Sequence, residues 1–139
     1  AEFRERSVGV FEGLTFVEAR ERYADLWARN VAMQWDDAPP GGESLRDVTE
    51  RVVHGLERLR ASGDARRPVL VAHGFVARVI RAVCADAFDD FFGWTLANAA
   101  TLDVEVPRFA PGDYARWRQA FVAAAERTGA PTGPQSSPL

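Results

Sequence analysis

The residues 1–139 contain two histidines, and one of them, His73, stands where a side chain can do chemistry. Four apolar residues, Val69 to Ala72, run directly into His73 and Gly74, and an apolar-periodic pattern begins at Phe75. This pattern predicts a strand over 69–72, a tight turn, and a helix over 75–85. A turn at the carboxyl end of a strand is where open α/β sheets bind ligands, and the following helix presents unpaired N–H groups to an anion. His73 is therefore the first candidate, with phosphate binding, acid–base work and nucleophilic attack open to it beside the plain alternative of a loop hydrogen bond. An acyl-transfer turn is set aside, because none of the five serines lies in a G-x-S-x-G elbow. A metal centre is set aside as well, since no second histidine or cysteine cluster stands at ligand spacing.

Elements must hold these groups. Residues 2–14 are polar and punctuated by glycine, and predict a loop with at most a short extended piece. Thr15 precedes Glu18 at capping-box spacing, and Phe16, Ala19, Tyr23, Leu26 and Trp27 recur at helical intervals, which predicts a helix over 15–29. The DDAPPGG run at 36–42 is a loop, because proline lacks the N–H a helix uses and paired glycines break regular structure. Ser44 and Asp47 open the clearest helix, 44–62, with Leu45, Val48, Val52, Leu56 and Leu59 along one stripe and Gly63 as the stop. His54 is nine residues beyond Leu45, and at roughly 100° per residue it falls opposite that stripe, on the solvent face. A short aromatic-rich helical turn is expected around 87–92. A second strand is expected over 101–106, where Leu102, Val104 and Val106 alternate with polar residues. A last helix over 114–127 is capped by Asp113, and a Pro- and Ser-rich tail follows at 129–139.

Composition narrows the function classes. Hydrophobic residues make up 47% of the chain, enough for a core, and the length suits one domain, 1–128. A net charge of -3 argues against a general grip on nucleic acid, although all 17 basic residues are arginine. No apolar run approaches the ~18 residues of a membrane span, so no membrane partner is expected. Cys84 is alone and reads as a small core residue in a reducing compartment, which makes the cytoplasm the expected location.

The blocks FRERSVGVFEGLT, PPGGESLRDVTERV and VLVAHGFVARVI occur in order along residues 1–110. In that order and spacing they resemble the histidine phosphatase superfamily, the phosphoglycerate-mutase-like proteins. The resemblance implies an α/β fold, a three-layer α/β/α sandwich, and a phosphohistidine mechanism acting on phosphomonoesters without a cofactor or metal. By position, Glu5 matches the proton donor and His73 the second histidine, which steadies the phosphoryl oxygens. Gly74 and Phe75 fall beside the bound group, Phe75 crowding or desolvating its phosphate side. Glu12, Glu43, Ser44, Arg51 and Arg78 match the pattern with no assigned role. The family's R-H-G segment, which carries the nucleophile, does not occur in these residues, and His54 cannot replace it from an exposed helix face.

Two strands also cannot flank a strand buried on both faces. The expectation is thus an incomplete sandwich, with the first strand and helix missing. The chain, which begins at alanine, reads as the carboxyl-terminal part of a longer phosphatase and as inactive alone. The expected partners are a phosphorylated small molecule or phosphate, and either a complementing amino-terminal segment or a second copy in a homo-oligomer. The alternative is a pseudoenzyme or interaction domain of the same fold. Mutase activity is disfavoured, since it needs the same nucleophile. Specificity is expected from loops 30–42 and 86–98.

Overall fold

The computed structural model describes residues 2–29, 33–63 and 67–128. Five α-helices are present among them: α1 (Phe16–Arg22), α2 (Ala24–Ala28), α3 (Leu45–Ala61), α4 (Gly74–Ala85) and α5 (Asp113–Thr128). A single 3-10 turn, Gly9–Phe11, precedes α1.

The caps form as their residue types dictate. The Thr15 hydroxyl accepts from the Glu18 N–H while the Glu18 carboxylate accepts from the Thr15 N–H, closing a box at the start of α1. Ser44 and Asp47 do the same for α3, with bonds of 2.9 and 3.1 Å. The single helix expected over 15–29 is instead two, because Tyr23 leaves helical backbone (φ -131°, ψ 46°) and restarts the chain as α2. The turn lets Tyr23 and Trp27 both meet Phe11 edge-on, at 5.8 and 6.4 Å, in a small cluster with Ala19. Phe11 is thus a core residue within a segment whose sequence suggests only a loop.

The main core lies between α3, α4 and α5. Val48, Val52, Val76, Val79 and Trp117 are fully buried there, and Phe121 is the hub of an aromatic stack with Trp35, Phe88 and Phe91 at 4.5–5.0 Å. The aromatic stretch expected as a helical turn is a run of turns, with Phe91 N–H donating to the Phe88 carbonyl and Gly93 N–H to that of Asp90. No helix among the described residues is long and apolar enough to cross a membrane.

The α/β expectation fails. The regular elements among the described residues are all helical and no described residue forms a strand, so they do not build a three-layer α/β/α sandwich, complete or incomplete. At 69–72 the expected buried strand is exposed instead, Val69 by 91% and Val71 by 89%. No backbone hydrogen bond joins 68–72 to another described residue. The physical reason is that β propensity becomes a strand only when a second backbone closes the ladder, and none lies alongside. The alternation at 101–106 is real, with Leu102, Val104 and Val106 half-buried and Thr101, Asp103 and Glu105 exposed, yet it too has no ladder. The tail at 129–139 lies outside the described residues, as do residues 30–32 of the expected specificity loop.

Candidate functional site

The site grows from the amino end of α4. His73 is the N-cap of that helix, in extended backbone (φ -105°, ψ 165°), and its side chain makes no capping bond. The imidazole is exposed and free to face a ligand. Gly74 opens the helix onto space, since a Cβ built there meets nothing within 4 Å. The first N–H groups of a helix have no intrahelical acceptor, and their dipole favours negative charge.

A negative group from far along the chain already stands there. The Glu5 carboxylate accepts a long hydrogen bond of 3.4 Å from the Phe75 N–H at its Oε2, across 70 residues of sequence. Its Oε1 accepts from the Arg6 N–H at 2.9 Å. The structure therefore brings Glu5, Gly74 and Phe75 together and sets His73 at the same helix end. The other histidine, His54, is exposed on α3, as its helical phase predicts.

Glu5 is held in place by α3. Arg51 projects across the segment 2–7 and donates Nη1 to the carbonyls of Glu2 (2.7 Å) and Arg4 (3.0 Å), and Nη2 to that of Glu5 (3.4 Å). Its Nε and Nη2 also grip the Glu43 carboxylate in a fork, at 2.8 and 3.1 Å. Glu43 in turn accepts from Arg4 and from the Ser7 N–H, so one carboxylate ties two points of the segment to α3. Burial pushes the Glu43 carboxyl up, but the hydrogen bonds from Arg51 and Ser7 and the charges of Arg51 and Arg4 outweigh it and hold the group below the usual carboxylate range. Glu12 accepts from the Val8 N–H and closes the next turn. The family-pattern residues without an assigned role, Glu12, Glu43, Ser44 and Arg51, thus make the frame on which Glu5 is mounted. Phe3 adds to it by packing over Gly55, where an added Cβ would come within 2.7 Å of its ring.

Phe75 turns its ring inward, edge-on to Phe91 at 5.9 Å. The guanidinium of Arg6 lies 4.9 Å over the ring and that of Arg78 lies 5.8 Å from it, cation–π contacts on one aromatic platform. Arg6 is 7% exposed and donates Nε to the Glu43 carbonyl at 3.2 Å. Burial lowers its pKa to about 10, against the upward pull of Glu43 and Glu5. Arg6 escapes sequence reasoning, because nothing in an arginine after a glutamate says that it will be buried. Among the described residues no group of three or more acidic, histidine or cysteine side chains could hold a metal ion. The arrangement can hold an anion at a helix end, with an imidazole and a carboxylic group within reach for proton transfer.

The model of the histidine phosphatase superfamily (branch 1) matches residues 1–125. A bifunctional protein of Mycobacterium tuberculosis is 34% identical over 86 residues, 60% of this chain and 22% of its own length. A metal-independent phosphoserine phosphatase of Arabidopsis thaliana is 31% identical over 80 residues, 57% of this chain and 34% of its own. A 2,3-bisphosphoglycerate-dependent phosphoglycerate mutase of Methylorubrum extorquens is 43% identical over 80 residues, 55% of this chain and 37% of its own. The chain therefore spans well under half the length of these relatives. No solved structure gives a significant match.

Proposed function

The chain belongs to the histidine phosphatase superfamily, and on that premise we propose that it supplies the acid and the oxyanion-binding half of a phosphomonoester hydrolase. The observation that carries this reading is the meeting of Glu5 with the amino end of α4, beside His73, across 70 residues of sequence. In the proposed reaction a nucleophilic histidine from outside these residues attacks phosphorus. The N–P bond forms as the P–O bond to the leaving alcohol breaks. His73 and the first N–H groups of α4 take up the charge on the equatorial oxygens. Glu5 gives its proton to the leaving oxygen, then accepts one from the water that attacks phosphorus and releases the histidine. The substrate is a phosphorylated small molecule.

The nucleophile is proposed to arrive on a complementing amino-terminal segment that pairs along 68–72, the stretch whose backbone has no partner among the described residues and whose Val69 and Val71 are exposed. A second copy of the chain would bring no nucleophile, because His54 is the same exposed residue in each copy. Hydrolysis rather than phosphoryl transfer between substrates is read by whether inorganic phosphate is released.

The test is p-nitrophenyl phosphate turnover by the chain alone and by the full-length protein that contains an R-H-G segment. No turnover and no acid-labile phosphate on the chain alone is expected, with turnover in the full-length protein that falls about 10²–10⁴-fold in Glu5→Gln. Acid-labile phosphate on His73 or His54 of the chain alone would overturn the assignment of roles. A full-length protein that binds phosphate yet turns nothing over favours the second reading, a non-catalytic phosphate-binding domain.

A further inference from the structure

Arg78 is a half-buried cation beside the site, and the proposed reaction leaves it unused. Its Nε is buried and has no hydrogen-bond partner among the described residues. A buried charged donor without an acceptor is costly, and such groups are retained where something else supplies the acceptor. What surrounds it otherwise is aromatic: its guanidinium lies 5.8 Å from the Phe75 ring and 5.7 Å from that of Phe91. The carboxylate that acts on it electrostatically is Glu5. Arg78 follows Phe75 by three residues on α4, hence on the same helix face, and long helical side chains lean toward the amino end, where His73 and Gly74 stand.

We propose that Arg78 is a binding residue of this site, its guanidinium donating to the anionic group held at the amino end of α4. The proposal rests on the phosphate-binding reading given above. The two aromatic rings restrict the guanidinium to a narrow range of positions, so it meets the ligand without first being ordered. Arg81, one turn further on, is no rival, because its guanidinium is already bound to Asp90 at 2.7 and 3.1 Å and stacked on Trp94. Arg6 is committed to the Glu43 carbonyl and lies over the Phe75 ring at 4.9 Å.

Inorganic phosphate is titrated into the chain while the backbone amides and the arginine Nε–H resonances are followed by NMR. The expected result is that the Gly74 and Phe75 amides and the Arg78 Nε–H move together with one dissociation constant, while the Arg81 Nε–H stays still. Arg78→Met is expected to weaken phosphate binding at least about tenfold, and Arg78→Lys less, because an ammonium keeps the charge without the planar fork. If the Gly74 and Phe75 amides move and the Arg78 resonance does not, Arg78 is a packing residue, this proposal fails and the phosphate-binding reading stands. If none of them moves at saturating phosphate, both fail.

Discussion

Replacing Arg51 by methionine should release the segment that carries Glu5. The substitution keeps an unbranched apolar stem and removes the guanidinium. Lost with it are two bonds to Glu43, at 2.8 and 3.1 Å, and three to the carbonyls of Glu2, Arg4 and Glu5, at 2.7, 3.0 and 3.4 Å. A hydrogen bond to a charged group is worth about 1.5–3 kcal/mol net, and such values do not add within one network. Both side chains of the pair are 13% exposed, close to a buried pair, for which loss of one partner costs about 3–5 kcal/mol. Glu43 keeps Arg4 and the Ser7 N–H, which softens the loss. The expected destabilisation is about 3 kcal/mol, a fall in Tm of roughly 10 °C for a chain of this size.

Urea unfolding followed by tryptophan fluorescence reads the global term. Amide exchange at Arg6 and Ser7, whose N–H groups donate to Glu5 and Glu43, reads the local one. Both should change, and Arg51→Lys should recover less than half, since an ammonium cannot fork onto a carboxylate. A loss under about 1 kcal/mol with unchanged exchange at Arg6 and Ser7 would refute the claim that α3 mounts Glu5.

Three further outcomes are expected. Gly9→Ala should destabilise the chain by at least about 2 kcal/mol, because Gly9 has φ +56° and its added Cβ would lie 2.2 Å from the Pro40 carbonyl oxygen; an unchanged urea midpoint would contradict the close approach. Glu43 has a folded pKa below its unfolded value, so its contribution is complete above the unfolded value of about 4.3 and is lost as pH falls through the folded one. The stability gap between the wild type and Glu43→Gln should therefore shrink on going from about pH 6 to about pH 3, and a constant gap would show that the carboxylate charge is not used. Burial pushes the Cys84 thiol up to about 11, so a disulfide reagent at about pH 8 should label it slowly in the folded chain and at once in urea; equal rates would mean that the thiol is open.

What the sequence discloses about this chain is the information that is local. Thr15 with Glu18 and Ser44 with Asp47 are complete signals, because a cap needs only residues three apart, and both boxes form. The amino end of α4 is legible for the same reason, from His73, Gly74 and the apolar period behind them. Pairing is not local. VLVA at 69–72 has the composition of a buried strand, but burial and ladder bonds belong to whatever lies alongside, and composition carries no record of its presence. The same limit hides Arg6, whose burial depends on Phe75 and Glu43, 69 and 37 positions away by number. Glu43 and Arg51 stand eight apart on the chain, and their role appears only once the 2–7 segment is laid across them.

The uncovered valines have a consequence for the chain as a material. Val69 and Val71 flank an uncharged run whose peptide groups are available to any extended backbone, including that of another copy. Self-pairing is second order in protein, whereas docking of a tethered segment is first order. Dilution therefore favours the one and crowding the other, and the guards on this stretch are few: Arg67 and Pro68 at one end and His73 at the other.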